Sequence, residues 1–159
     1  MRPGCWQPKA RVADMELNWV DGSLPFPTFP RFCGQTFMDG KDKELGLACV
    51  RAYNNWAADY AIAAPERLRW AAALPMQDID EAVAEAKRTA EAGCVGFYMR
   101  PNPVGGRPLW DPAYDQLWSA IAATENVVRA RSYPARPIAS TSSGLSRSRA
   151  TTPSRFSTS

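Results

Sequence analysis

A chain of 159 residues with 45% apolar and 22% charged side chains suits one globular domain. It has no run of about 18 apolar residues that would cross a bilayer. It contains no histidine, which excludes a Ser-His-Asp triad, a Cys-His pair and any histidine-bearing zinc site made by this chain alone. The net charge of +3 is a composite, since residues 1–127 hold 13 Lys+Arg against 16 Asp+Glu while residues 128–159 hold six Arg and no acid.

Pro8 to Asn18 predicts a short helix with Val12 and Met15 on one side. Trp19 to Leu24 predicts a short strand. Pro25, Pro27 and Pro30 stop it, and Pro25 to Gly34 is expected to be an aromatic loop, because proline fixes φ and supplies no ladder donor. Asp42 to Ala63 predicts a helix whose apolar stripe is Leu45, Cys49, Tyr53, Trp56 and Tyr60. Leu68 to Leu74, interrupted only by Arg69, predicts a buried strand. Asp78 is the expected N-cap of the next helix, with Glu81 in capping-box spacing. Its inner face is expected to be Ile79, Val83, Ala86 and Ala90, and Gly93 stands where a C′ glycine belongs. Cys94 to Met99 predicts another strand, and Asp111-Pro112 opens a last helix with Tyr114, Leu117, Trp118 and Ile121 inward.

Residues 67–99 therefore spell strand, helix, strand, a span that implies a parallel crossover. The alternation points to α/β architecture. Val128 to Ser159 breaks the pattern with nine Ser, four Thr, six Arg and three Pro. Such a composition predicts a disordered tail after a domain of residues 1–127. Four cysteines, Cys5, Cys33, Cys49 and Cys94, form no C-x-x-C pair, and no secretory signal follows Met1. Reduced thiols and a cytoplasmic location are the expectation.

Ligands bind beyond the carboxyl ends of parallel strands. The loop after Met99 carries Arg100, able to hold an anion through two parallel hydrogen bonds, and Asn102 beside it. A salt-bridged Arg100 in a rigid loop is the competing reading. Phe26, Phe29, Phe32 and Phe37 could wall an aromatic pocket or simply pack on a neighbouring loop. Gly105-Gly106 with Arg107 matches neither phosphate-binding pattern. Asp78, Asp80, Glu81 and Glu85 have the composition of an acid cluster, yet they occupy the first turns of a helix, where acids favour the macrodipole. The tail arginines lack interleaved aromatics and read as a solvated tail, not a nucleic-acid surface.

Five blocks carry a family resemblance: Leu17-Asn-Trp-Val-Asp-Gly-Ser-Leu24, Phe26-Pro-Thr-Phe-Pro-Arg-Phe-Cys-Gly-Gln35, Arg51-Ala-Tyr-Asn-Asn-Trp56, Leu74-Pro-Met-Gln-Asp78 and Met99-Arg-Pro-Asn-Pro-Val-Gly-Gly-Arg-Pro-Leu109. From about Lys9 to Asn126 the chain resembles the amidohydrolase-related metal-dependent hydrolases, which include aminocarboxymuconate-semialdehyde decarboxylase-like enzymes. The resemblance implies part of a (β/α)8 TIM barrel, about three parallel strands with flanking helices. It implies a divalent metal, often zinc, in the intact family enzyme, where it would polarise the substrate or activate water. The family's metal ligands are a His-x-His pair, further histidines and an aspartate, and none can be matched here, so no metal ligand or catalytic residue is assigned. Arg100 and Asn102 carry over as candidate substrate contacts, with Phe32 from the aromatic loop.

The expectation is a hydrolase- or decarboxylase-type fragment with a small-molecule substrate in the intact family, inactive alone. No nucleic-acid or membrane partner is expected, and self-association through open strand edges is. A non-catalytic binding protein using the Arg100 loop or the tail is the alternative, and an enzyme completed by another chain a third. A shifted reading frame is the simplest account of the tail, with an evolved tail as its rival.

Overall fold

The computed structural model describes residues 1–27, 35–99 and 107–130. Its helices are α1 (Pro8–Leu17), α2 (Gln35–Met38), α3 (Lys43–Ile62), α4 (Ile79–Glu91) and α5 (Asp115–Ala122). The strands β1 (Ala72–Ala73), β2 (Gly96–Met99) and β3 (Val127–Ala130) form a parallel sheet in the order β1-β2-β3. This is an α/β segment in which α4 connects β1 to β2, and α5 connects β2 to β3.

Local chemistry sets the helix ends. Asp42 caps α3 by accepting from the Leu45 N–H at 2.9 Å. Asp78 caps α4 through the Asp80 and Glu81 N–H groups. Asp111 accepts from the Ala113 N–H ahead of a 3-10 turn, Pro112–Tyr114, that leads into α5. At the far end of α4, Gly93 takes φ +84°. Its N–H bonds to Ala90 O, and the Cys94 N–H reaches back to Thr89 O, which is the Schellman arrangement. The capping box at Asp78 is only half made: Glu81 accepts from Arg51 instead of from the backbone, and the Asp78 N–H goes to Pro75 O.

The sheet backs a core of Leu68, Trp70, Leu74, Phe97, Met99, Leu117 and Ile121, all buried. Each large apolar side chain taken from water contributes about 1.5–3 kcal/mol. Gly96 lets β2 and β3 approach closely, since a Cβ there would lie 2.6 Å from the Val127 carbonyl oxygen.

Three expectations need correcting. Trp19 to Leu24 is not a strand: only Ser23 forms a parallel bridge, to Leu68. Trp19 sits at φ 54°, which turns the chain, and the Arg67 guanidinium takes the Val20 and Asp21 carbonyls that a strand neighbour would need. The third strand is instead β3, which runs to Ala130 and so into the segment assigned to the tail. Residues 131–159 lie outside the described residues. Lastly, the inward face of α3 is rotated. Gly46, Val50, Asn54, Ala57, Tyr60 and Ala61 are buried on α3, while Leu45 and Trp56 are 60% and 42% exposed. On α4 the expected face does meet the core, with Ala86 buried and Ile79, Val83 and Ala90 packed against it, and Ala82, Glu85 and Thr89 are buried beside them.

No helix among the described residues is long and apolar enough to cross a membrane.

Candidate functional site

The three parallel strands point their carboxyl ends the same way, and chemistry in such a sheet belongs at that end. Arg100, Asn102 and Phe32 lie outside the described residues. What the structure places there is the turn after β1. Pro75 and Met76 are buried, the Met76 N–H bonds Leu74 O at 2.9 Å, and Gln77 follows as the last residue before the Asp78 cap. The Gln77 side-chain oxygen, Oε1, is buried and accepts no hydrogen bond from the protein.

A small apolar hollow over the sheet is lined by Leu24, Phe26, Ala71, Gly96, Tyr98 and Val127. Phe26 meets Tyr98 edge-on, with ring centroids 5.9 Å apart at 75°. Phe37 instead packs against the core, and Phe29, like Phe32, is outside the described residues. The four phenylalanines therefore do not share one role. Burial raises the Tyr53 pKa against a smaller opposing effect of its hydrogen bond with Tyr98, so Tyr53 is a neutral phenol at pH 7. Burial also raises the Cys94 thiol, outweighing its hydrogen bonds with the Gly96 backbone and Thr89, so it is no thiolate nucleophile.

The acidic residues at the start of α4 each have a structural partner. Asp78 caps the helix, Asp80 accepts from Gln116 at 2.9 Å, and Glu81 accepts from Arg51 at 2.7 Å. Glu85 is the centre of a network. Arg88 grips it with both Nε and Nη2, at 2.9 and 2.6 Å, and Asn54 Nδ2 donates to it at 2.7 Å. Burial pushes the Glu85 pKa up, but the Arg88 and Asn54 hydrogen bonds and the Arg88 and Arg51 charges outweigh it, and the net shift is downward. An ionised, fully committed carboxylate cannot serve as a general acid. Its work is on Asn54, whose Oδ1 accepts from the Ala73 N–H at 2.9 Å while its Nδ2 donates to the Ala73 carbonyl at 3.0 Å. The side-chain amide thus stands where a neighbouring strand's peptide would pair with β1.

The residues present do not fit a metal centre of the kind the resemblance implies. The chain has no histidine, and among the described residues no three Cys, Asp or Glu side chains converge.

A family model described as Amidohydrolase matches residues 1–141. No curated protein matches. Several solved structures share the fold. A 5-carboxyvanillate decarboxylase from Novosphingobium aromaticivorans, holding manganese and a methoxy-hydroxy-nitrobenzoic acid, aligns with 22% identity and TM-score 0.63 over 75% of this chain and 33% of that one. A 2,6-dihydroxybenzoate decarboxylase from Rhizobium aligns with 21% identity and TM-score 0.67 over 82% of this chain and 41% of that one. A dihydroxybenzoic acid decarboxylase from Polaromonas, with manganese and 2-nitroresorcinol, aligns with 22% identity and TM-score 0.62 over 75% and 36%. The chain thus spans between a third and about two fifths of the length of these relatives.

Proposed function

Since this chain belongs to the amidohydrolase family, we propose that it forms the wall of a barrel that handles a hydroxylated aromatic carboxylate, without contributing the metal centre. The observation that carries this reading is the family match over residues 1–141 in a sequence with no histidine. The reaction class is carboxy-lyase or hydrolase. The similar structures named above are decarboxylases of hydroxylated benzoates, which favours the former.

In this reading Arg100 binds the substrate carboxylate through two parallel hydrogen bonds, Asn102 orients a neighbouring polar group and Phe32 packs on the ring. The cation of the intact enzyme is divalent. Zinc is the family resemblance's suggestion, and manganese is the ion held by two of the similar structures. Alone the chain turns over nothing. It self-associates through the β3 edge, because β1 is already sealed by Asn54 on Ala73, with Ser23 bridging Leu68 just ahead of that strand.

The test is release of carbon dioxide from 2,6-dihydroxybenzoate with manganese present. The purified 159-residue chain is expected to release none, and the chain co-expressed with a polypeptide supplying the remaining strands of the family barrel is expected to release it. Metal-dependent turnover by the chain alone contradicts the proposal.

A further inference from the structure

We propose that the groove between the 3-10 turn Pro3–Cys5, α1 and Val20 is a binding site for a small oxyanion, a carboxylate or a phosphate, held on the Arg11 guanidinium. The groove lies at the amino end of the sheet, away from the end where chemistry belongs, so the inference is independent of the aromatic-acid reading.

The groove has a volume of about 240 Å³ and is lined by Arg2, Arg11, Asp14, Met15, Asn18 and Val20. That is below the roughly 300–1,000 Å³ of an ordinary ligand pocket, and it suits a small ion better than a nucleotide. Its walls are pinned. The Tyr60 hydroxyl donates to Gly4 O at 3.2 Å, the Val20 N–H to Met15 O at 3.0 Å, and Arg11 Nη2 to Ser23 Oγ at 2.9 Å. Ser23 in turn bridges Leu68, four residues before β1 opens, which sets the groove at the amino end. The charges around it do not cancel. Arg2 pairs with Asp14 at 3.1 Å, and Arg67 is committed to Glu16 and to the Val20 and Asp21 carbonyls. Arg11 has no acidic partner among the described residues, and its one hydrogen bond goes to a neutral hydroxyl. A guanidinium carries several N–H donors in a planar fork, and Arg11 has spent one of them. Asn18 likewise spends one amide hydrogen on Asp14 O, at 2.7 Å, and keeps the other. Two arginines against one aspartate leave the lining net positive. A fixed fork with unspent donors in such a groove is matched by a pair of oxygens on one anion.

The experiment titrates inorganic phosphate into the full chain at fixed ionic strength, with chloride as the balancing salt, and follows the Arg11 side-chain resonances. The parent is expected to bind saturably. Arg11→Gln is expected to bind at least fivefold more weakly. Asp14→Asn, which removes the opposing charge and releases Arg2, is expected to bind at least twofold more tightly. A purely structural role for Arg11 does not move affinity in these opposite directions. Acetate in parallel separates the two sources: tighter acetate binding assigns the site to a carboxylate, tighter phosphate binding to a phosphoryl group, and either supports it. Shifts that do not saturate or that chloride reproduces, an Arg11→Gln variant that binds as the parent does, or an Asp14→Asn variant that binds no more tightly each overturn the proposal. If Arg11→Gln does not fold, Asp14→Asn alone decides.

Discussion

Asn54 puts a side-chain amide against both the N–H and the carbonyl of Ala73, and Glu85 and Arg88 hold that amide in place. Replacing it by leucine would orphan the Ala73 groups and strip Glu85 of a donor. Asn54→Leu is expected to lower stability by about 3 kcal/mol, read as a lower urea midpoint at unchanged slope. Glu85 carries the pH dependence of the same network. Its folded pKa lies below its ordinary glutamate value, so its contribution is fully present above that ordinary value and is lost as pH falls through the folded one. Urea melts across that acidic range should show the loss in the parent and its absence in Glu85→Gln, which starts less stable at neutral pH. Neither residue was legible as structural from periodicity. Asn54 and Glu85 are polar residues on buried faces, and a search for apolar stripes steers away from them. That is why the expected face of α3 came out rotated and that of α4 omitted Glu85. Arg51 and Arg88, which make the burial tolerable, lie three residues from Asn54 and Glu85, and only the fold brings the four together.

Elements were readable where a single residue type decides them. Aspartates at 42, 78 and 111 cap helices, and Gly93 closes α4, because those jobs need a short acceptor and a positive φ. The strands were less readable, since a parallel strand of two to four residues has no period to detect. The stretch from Trp19 to Leu24 has the composition of a strand, yet Arg67 occupies its carbonyls. β3 was hidden because its Val127-Val128 start adjoins a run of arginine and serine. The β2–β3 junction offers the clearest test at this scale. Gly96→Ala would drive a methyl to 2.6 Å from the Val127 carbonyl and force the strands apart. A loss of about 1–3 kcal/mol is expected, with amide protection falling first in β3. Unchanged protection there would contradict the close approach.

On the scale of the whole molecule, the sheet has unequal edges. The β1 side is closed by a side-chain amide and a bridge, whereas no described residue pairs with the outer edge of β3, and Val127 is 59% exposed. Self-association should therefore run through β3. Val127→Lys is expected to shift sedimentation toward monomer, and Asn54→Ala to shift it toward larger species by opening the second edge. Equal effects of the two variants would contradict the asymmetry. The family and its α/β class were legible in the ordered blocks of sequence, and the parallel sheet and the match over residues 1–141 bear them out. Arg100, Asn102 and Phe32 fall outside the described residues. The central claim is that this chain builds barrel wall and not metal centre. Equilibrium dialysis of the purified chain against manganese and zinc, with metal counted per chain, tests it most directly. The account predicts no stoichiometric metal at micromolar concentrations. One tightly held ion per chain would contradict it.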